Sequence, residues 1–85
     1  MAEVAEEMLN FEEVKATFAL GKLDLETTGI SARSLGDIDV SIIMKELGGG
    51  GHNSNAATQI KDKTLKEVKQ LVIDIVNNKE ESNIE

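Results

Sequence analysis

The spacing of hydrophobic positions switches repeatedly between helical and strand periods along this chain of 85 residues, and each switch marks an element. Val4, Met8 and Phe11 recur at helical spacing with Glu3, Glu6 and Glu7 between them, which predicts a short amphipathic helix over residues 2–9. From residue 13 the period becomes two. Val14, Ala16, Phe18 and Leu20 face one way, and Lys15, Thr17 and Ala19 the other. Gly21-Lys22-Leu23-Asp24 reads as a turn into a second strand over residues 27–34, so the two strands should form an antiparallel hairpin. Asp39 is a fitting N-cap for a helix carrying Val40, Ile43, Met44 and Leu47 on one face, with Gly48 at its left-handed terminus. Residues 56–60 predict a third strand. Thr64-Leu65-Lys66-Glu67 is a capping box opening a long helix with Leu65, Val68, Leu71, Val72, Ile75 and Val76 inward. The expectation is an α+β (α/β) domain over residues 1–78. Its order is α-β-β-α-β-α, with an N-terminal β-hairpin in a small mixed sheet covered by helices, and the polar tail frays over residues 77–85.

Composition narrows what such a domain can do. Only Phe11 and Phe18 are aromatic, so the core is aliphatic. Cysteine is absent, which excludes disulfides and thiolate metal sites. No apolar run approaches the ~20 residues of a membrane span, and residues 1–7 lack a basic signal region, so a cytoplasmic domain without direct membrane contact is expected. The net charge of −7 opposes a broad nucleic-acid surface. Acids crowd the two ends, whereas the centre balances Arg33, Lys45 and Lys61 against Asp37, Asp39 and Glu46. A small anion can be held there; a long polyanion is repelled.

Residues 48–57 read Gly-Gly-Gly-Gly-His-Asn-Ser-Asn-Ala-Ala, a stretch that packing alone does not explain. Consecutive glycines cost backbone entropy on folding, so they suggest a close approach to a ligand. Bare N–H groups beside the single histidine, His52, suit an oxyanion or phosphate. The pattern is neither a P-loop nor a dinucleotide fingerprint, because a helix precedes it and its C-terminal dipole opposes an anion. Spacing therefore leaves two readings open: a ligand loop, or a helix cap followed by a flexible connection. The second strand supplies a cation. Alternation puts Gly29, Ser31 and Arg33 on one face, where an arginine among small residues has room for a bidentate phosphate contact. An ordinary solvated arginine is the competing account.

Ile30-Ser31-Ala32-Arg33-Ser34, a helix ending Lys45-Glu46-Leu47, then Gly-Gly-Gly-Gly-His and Ala56-Ala57 together resemble the DHHA1 domain of DHH-type phosphoesterases. In particular they are similar to the carboxy-terminal part of the membrane-anchored bacterial cyclic-di-AMP phosphodiesterase, over about residues 4–76. The resemblance implies a substrate-binding lobe that closes over a DHH catalytic lobe of the same parent chain. It implies that Arg33, Ser31, Ser34, Gly49, Gly50, Gly51, His52 and Asn53 hold the phosphate or nucleotide of a cyclic dinucleotide. It also implies manganese in the full-length enzyme and none bound by this fragment, which is expected to be inactive alone. Thr58 departs from the glycine that many members carry there, which blurs the subfamily. Relatives within the family include oligoribonuclease and single-strand exonuclease branches. A second class is a non-catalytic module such as the C-terminal domain of alanyl-tRNA synthetase, and a third is a free-standing nucleotide sensor. Asp37 and Asp39 have the spacing of a metal-ligand pair. A helix cap beside a turn residue accounts for them better, because two hard cations ~3.5–4 Å apart need several converging carboxylates and histidines.

Overall fold

The computed structural model describes the backbone of residues 6–84 and the side chains of 7–78. Its elements are β1 (Glu6–Phe11), β2 (Ala16–Lys22), β3 (Thr27–Ser34), α1 (Val40–Glu46), β4 (Gly50–Gly51), β5 (Asn55–Lys61) and α2 (Leu65–Ile84). The five strands form one sheet in the order β1-β2-β3-β5-β4, and every neighbouring pair is antiparallel. The α+β class holds, but the order is β-β-β-α-β-β-α and the sheet is not mixed.

The first correction concerns the N-terminal helix. Its stretch over residues 2–5 lies outside the described residues, and residues 6–9 belong to β1. Glu7, Leu9 and Phe11 alternate as well as Val4, Met8 and Phe11 recur, so a short window fits both periods. Pairing decides between them. Leu9 lies opposite Phe18 and Phe11 opposite Ala16, which extends the apolar row of β2. The Phe11 and Phe18 rings meet edge to face at 5.6 Å and 82°. Glu7 pairs with Lys69 of α2 at 2.8 Å.

The β2–β3 hairpin forms as expected, with its turn displaced. Gly21 and Lys22 stay in the ladder opposite Gly29 and Thr28, and the reversal falls on residues 23–26. There Asp24 Oδ1 accepts from the Glu26 amide at 2.8 Å. Asp39 caps α1 by accepting from the Ser41 amide at 2.9 Å, and Gly48 follows the helix at φ +92°. In the capping box, Thr64 N–H donates to Glu67 Oε1 at 2.8 Å and Glu67 N–H to Thr64 Oγ1 at 3.1 Å. The helix it opens runs to Ile84, well past the expected fraying at residue 77.

Both helices contribute to one core on one face of the sheet. Val40, Ile43 and Met44 of α1 and Val68, Val72 and Val76 of α2 pack with Ala16, Phe18, Leu20, Ile30, Ala32 and Ala56. Strand alternation turns the intervening side chains to the opposite face. That face carries no helix among the described residues, and the candidate site lies on it.

Candidate functional site

Arg33 sits near the end of β3 with its side chain on the open face. Cross-strand register places it opposite Thr17 of β2 and Asn55 of β5, with Asn10 of β1 opposite Thr17. Reciprocal backbone bonds then join Asn55 to His52, with His52 N–H donating at 2.6 Å and Asn55 N–H donating back at 3.3 Å. These bonds continue the β4–β5 register, in which Gly51 faces Ala56 and Gly50 faces Ala57. Asn10, Thr17, Arg33, Asn55 and His52 therefore share one transverse row across the sheet. The row's own polar groups are partly engaged: Thr17 Oγ1 donates to Asn10 Oδ1 at 2.7 Å, and Arg33 Nε donates to Asn55 Oδ1 at 3.4 Å. Asn55 takes Nε alone, so the two terminal guanidinium nitrogens face solvent. They can grip two oxygens of one oxyanion.

The glycine run is not the open loop expected from sequence. It is a β-hairpin, because Gly50–Gly51 pair with β5. Gly48 N–H donates to Lys45 O at 3.1 Å and Gly49 N–H to Met44 O at 2.8 Å, so both amides close the end of α1. Gly49 is glycine for want of space: a Cβ there would stand 2.2 Å from Ala57 O and 2.4 Å from Thr58 Cβ. Gly50 lies in a hydrogen-bonded pair with Ala57 by the alternation of an antiparallel ladder, so the N–H of Gly51 points away from β5 at the sheet edge. Gly51 is thus the glycine whose amide is placed to meet an anion beside His52.

The other expected residues separate into two groups. Ser31 is exposed on the open face, two positions before Arg33. Ser34 turns to the other side, where its Oγ donates to Gly36 O at 3.0 Å and accepts from Gly36 N–H at 3.3 Å. Asn53 is exposed at the hairpin tip, and its carbonyl accepts from Val40 N–H at 3.0 Å, tying the tip to the start of α1. Ser54 O likewise accepts from Ser34 N–H at 2.9 Å. Thr58 Oγ1 donates to Leu47 O at 3.0 Å, which gives the departure from glycine a structural purpose at the end of α1. Asp39 is committed to the helix cap: hydrogen bonds from the Ser41 hydroxyl first, and then from backbone amides, hold its carboxyl below the usual carboxylate range. Sequence reasoning missed Asn55, Thr17 and Asn10, whose proximity to Arg33 exists only once strands pair.

With this geometry in place, comparison with known proteins gives a consistent answer. The DHHA1 domain family matches residues 1–78. The chain belongs to that family. This DHHA1 domain is 49% identical over 76 residues to the cyclic-di-AMP phosphodiesterase PdeA of Listeria monocytogenes. It is 44% identical over 78 residues to the cyclic-di-AMP phosphodiesterase GdpP of Geobacillus thermodenitrificans. Those matches cover 89% and 92% of this chain but 12% of each relative, so the chain spans about an eighth of their length. A membrane protein–large ribosomal subunit bL9 fusion protein of Aster yellows witches'-broom phytoplasma is 43% identical over 68 residues, or 80% of this chain and 8% of that one.

Proposed function

We propose that this DHHA1 domain is the substrate-binding lobe of a phosphodiesterase that hydrolyses cyclic di-AMP, and that its open sheet face holds the substrate phosphate. The observation that carries the reading is the row His52–Asn55–Arg33. It sets an arginine with free terminal nitrogens on the central strand in one row with an imidazole beside the Gly51 amide at the β4 edge, two strands away. The similarity to cyclic-di-AMP phosphodiesterases supports the substrate class. Arg33 and Gly51 N–H orient non-bridging oxygens, which is positioning rather than bond-making. His52 adds a hydrogen bond to the phosphate, and Ser31 lines the approach.

Manganese, which the family resemblance assigns to the parent, finds no ligand set here. Among the described residues, no three His, Cys, Asp or Glu side chains come together. The reading assigns recognition and orientation to this chain, with the DHH lobe of the parent as its partner. Two phytoplasma relatives are described as membrane protein fusions, which supports a membrane-anchored parent. No helix among the described residues is long and apolar enough to cross a bilayer.

The test is Arg33→Ala in the full-length enzyme. Losing a charge-assisted contact should lower kcat/KM about tenfold to hundredfold while the circular dichroism spectrum is retained. A folded variant with unchanged kinetics would return Arg33 to the role of a solvated surface arginine.

A further inference from the structure

The open face also carries a trough that the phosphate row does not use. It has a volume of about 510 Å³ and is lined by Ala19, Gly21, Leu23, Gly29, Ser31 and Gln59 among others. Two register rows make its floor, Gly21–Gly29–Gln59 and Ala19–Ser31–Ala57. Five of those six positions bear only a hydrogen, a methyl or a hydroxymethyl group. The result is a flat floor about 10 Å across three strands. Leu23 folds back from the turn over this floor, since a Cβ added to Gly29 would lie 3.1 Å from its Cδ1. Leu23 is nevertheless 58% exposed, a large apolar side chain standing beside the floor with little covering it.

We propose that this trough seats the base of the substrate nucleotide, with Gln59 reading its edge, and that adenine is the base it fits. A planar bicycle lies flat on small residues and buries one apolar face, with Leu23 closing one side. Gln59 is the one long polar side chain of the floor rows. Its amide offers one donor and one acceptor side by side, which match the adjacent N6–H donor and N7 acceptor of adenine; guanine presents two acceptors, N7 and O6, on that edge. Position supplies the remaining link. Ser31 in the floor and Arg33 in the phosphate row are two residues apart on one face, hence about 7 Å. That is the span between phosphate and base in a mononucleotide. The assignment rests on Arg33 as the phosphate ligand.

Backbone amide shifts of the 85-residue chain, titrated with AMP, GMP and ribose 5-phosphate, test it. AMP should move Gly29, Ser31 and Gln59 together with Arg33, Gly51 and His52. Ribose 5-phosphate should move only the second group. Gln59→Ala should weaken AMP binding about fivefold to tenfold, the lower part of the range for a paired base contact, and leave ribose 5-phosphate binding as it was. Equal footprints and affinities for AMP and ribose 5-phosphate, or GMP bound as tightly as AMP, overturn the base site while the phosphate reading stands. A trough silent to AMP also overturns it and assigns that face to the parent's second lobe. Shifts in the trough without shifts at Arg33 and His52 remove the phosphate reading and, with it, the positional link on which the adenine assignment rests.

Discussion

Gly49 and Gly50 are adjacent in sequence and identical in chemistry, yet the structure treats them differently. A methyl group at Gly49 would overlap the Ala57 carbonyl, whereas at Gly50 nothing lies within 4 Å. Gly49→Ala should therefore cost about 1–3 kcal/mol through forced backbone movement. Gly50→Ala should stay within about 0.5 kcal/mol. Thermal melts of the two variants check this, and equal melting temperatures would contradict the close approach. At Asp39 the folded-state pKa lies below its unfolded value because Ser41 donates to it. Its stabilisation is therefore present above the unfolded carboxylate pKa of about 4 and is lost as pH falls through the lower folded value. The melting temperature should drop on acidification through that window, and Asp39→Asn, which still accepts at the N-cap, should flatten the drop. At this scale the sequence was legible where a residue's identity restricts its use. Arg33 and His52 stood out by type and spacing. Asn55 did not, because an exposed asparagine is ordinary until register sets it against an arginine.

Elements were legible where start and stop chemistry accompanies the period. Thr64 and Glu67 announce α2, and the reciprocal bonds are those of the motif. Thr64→Ala should lower stability by about 1 kcal/mol, read as a lower melting temperature with reduced helical circular dichroism on approach to the transition. An unchanged melt would mean that packing of Val68, Val72 and Val76 alone holds the helix start. The two missed strands lacked such signals. β1 has no turn residue before it and a period that fits either class, and its identity comes from the β2 row it extends. β4 is two glycines, residues without strand preference, and becomes a strand because Gly49 tucks the chain against β5.

For the whole molecule, the core stands on few large side chains. Phe18 is fully buried at its centre and stacks edge-on with Phe11. Phe18→Ala should cost about 3–5 kcal/mol. Small domains have about 5–15 kcal/mol in all, so partial unfolding at ambient temperature is the expected result. Denaturant titration measures it, and a cost under about 1 kcal/mol would mean the core reseals around the gap. Among the described residues the helices cover one face of the sheet, and under the proposed function the open face forms a cleft only with a second lobe. The purified chain should accordingly show no turnover of cyclic di-AMP with manganese added, and bind AMP only in the millimolar range. Manganese-dependent hydrolysis abolished by a substitution in this chain would contradict that.

The strand order carries a consequence for how the chain reaches this state. β1, β2 and β3 are sequence neighbours that pair through short reversals, and β4 and β5 form another local hairpin. The β3–β5 contact alone spans α1. Local pairings close with little loss of loop entropy, so the meander and the small hairpin should form early and dock last. Arg33 and Asn55 meet only at that docking. The row through Arg33, Asn55 and His52 is thus a product of the final folding step, and under the proposed function a nucleotide that grips it should slow unfolding more than it speeds folding. With no proline in the chain, no isomerisation phase should obscure that measurement.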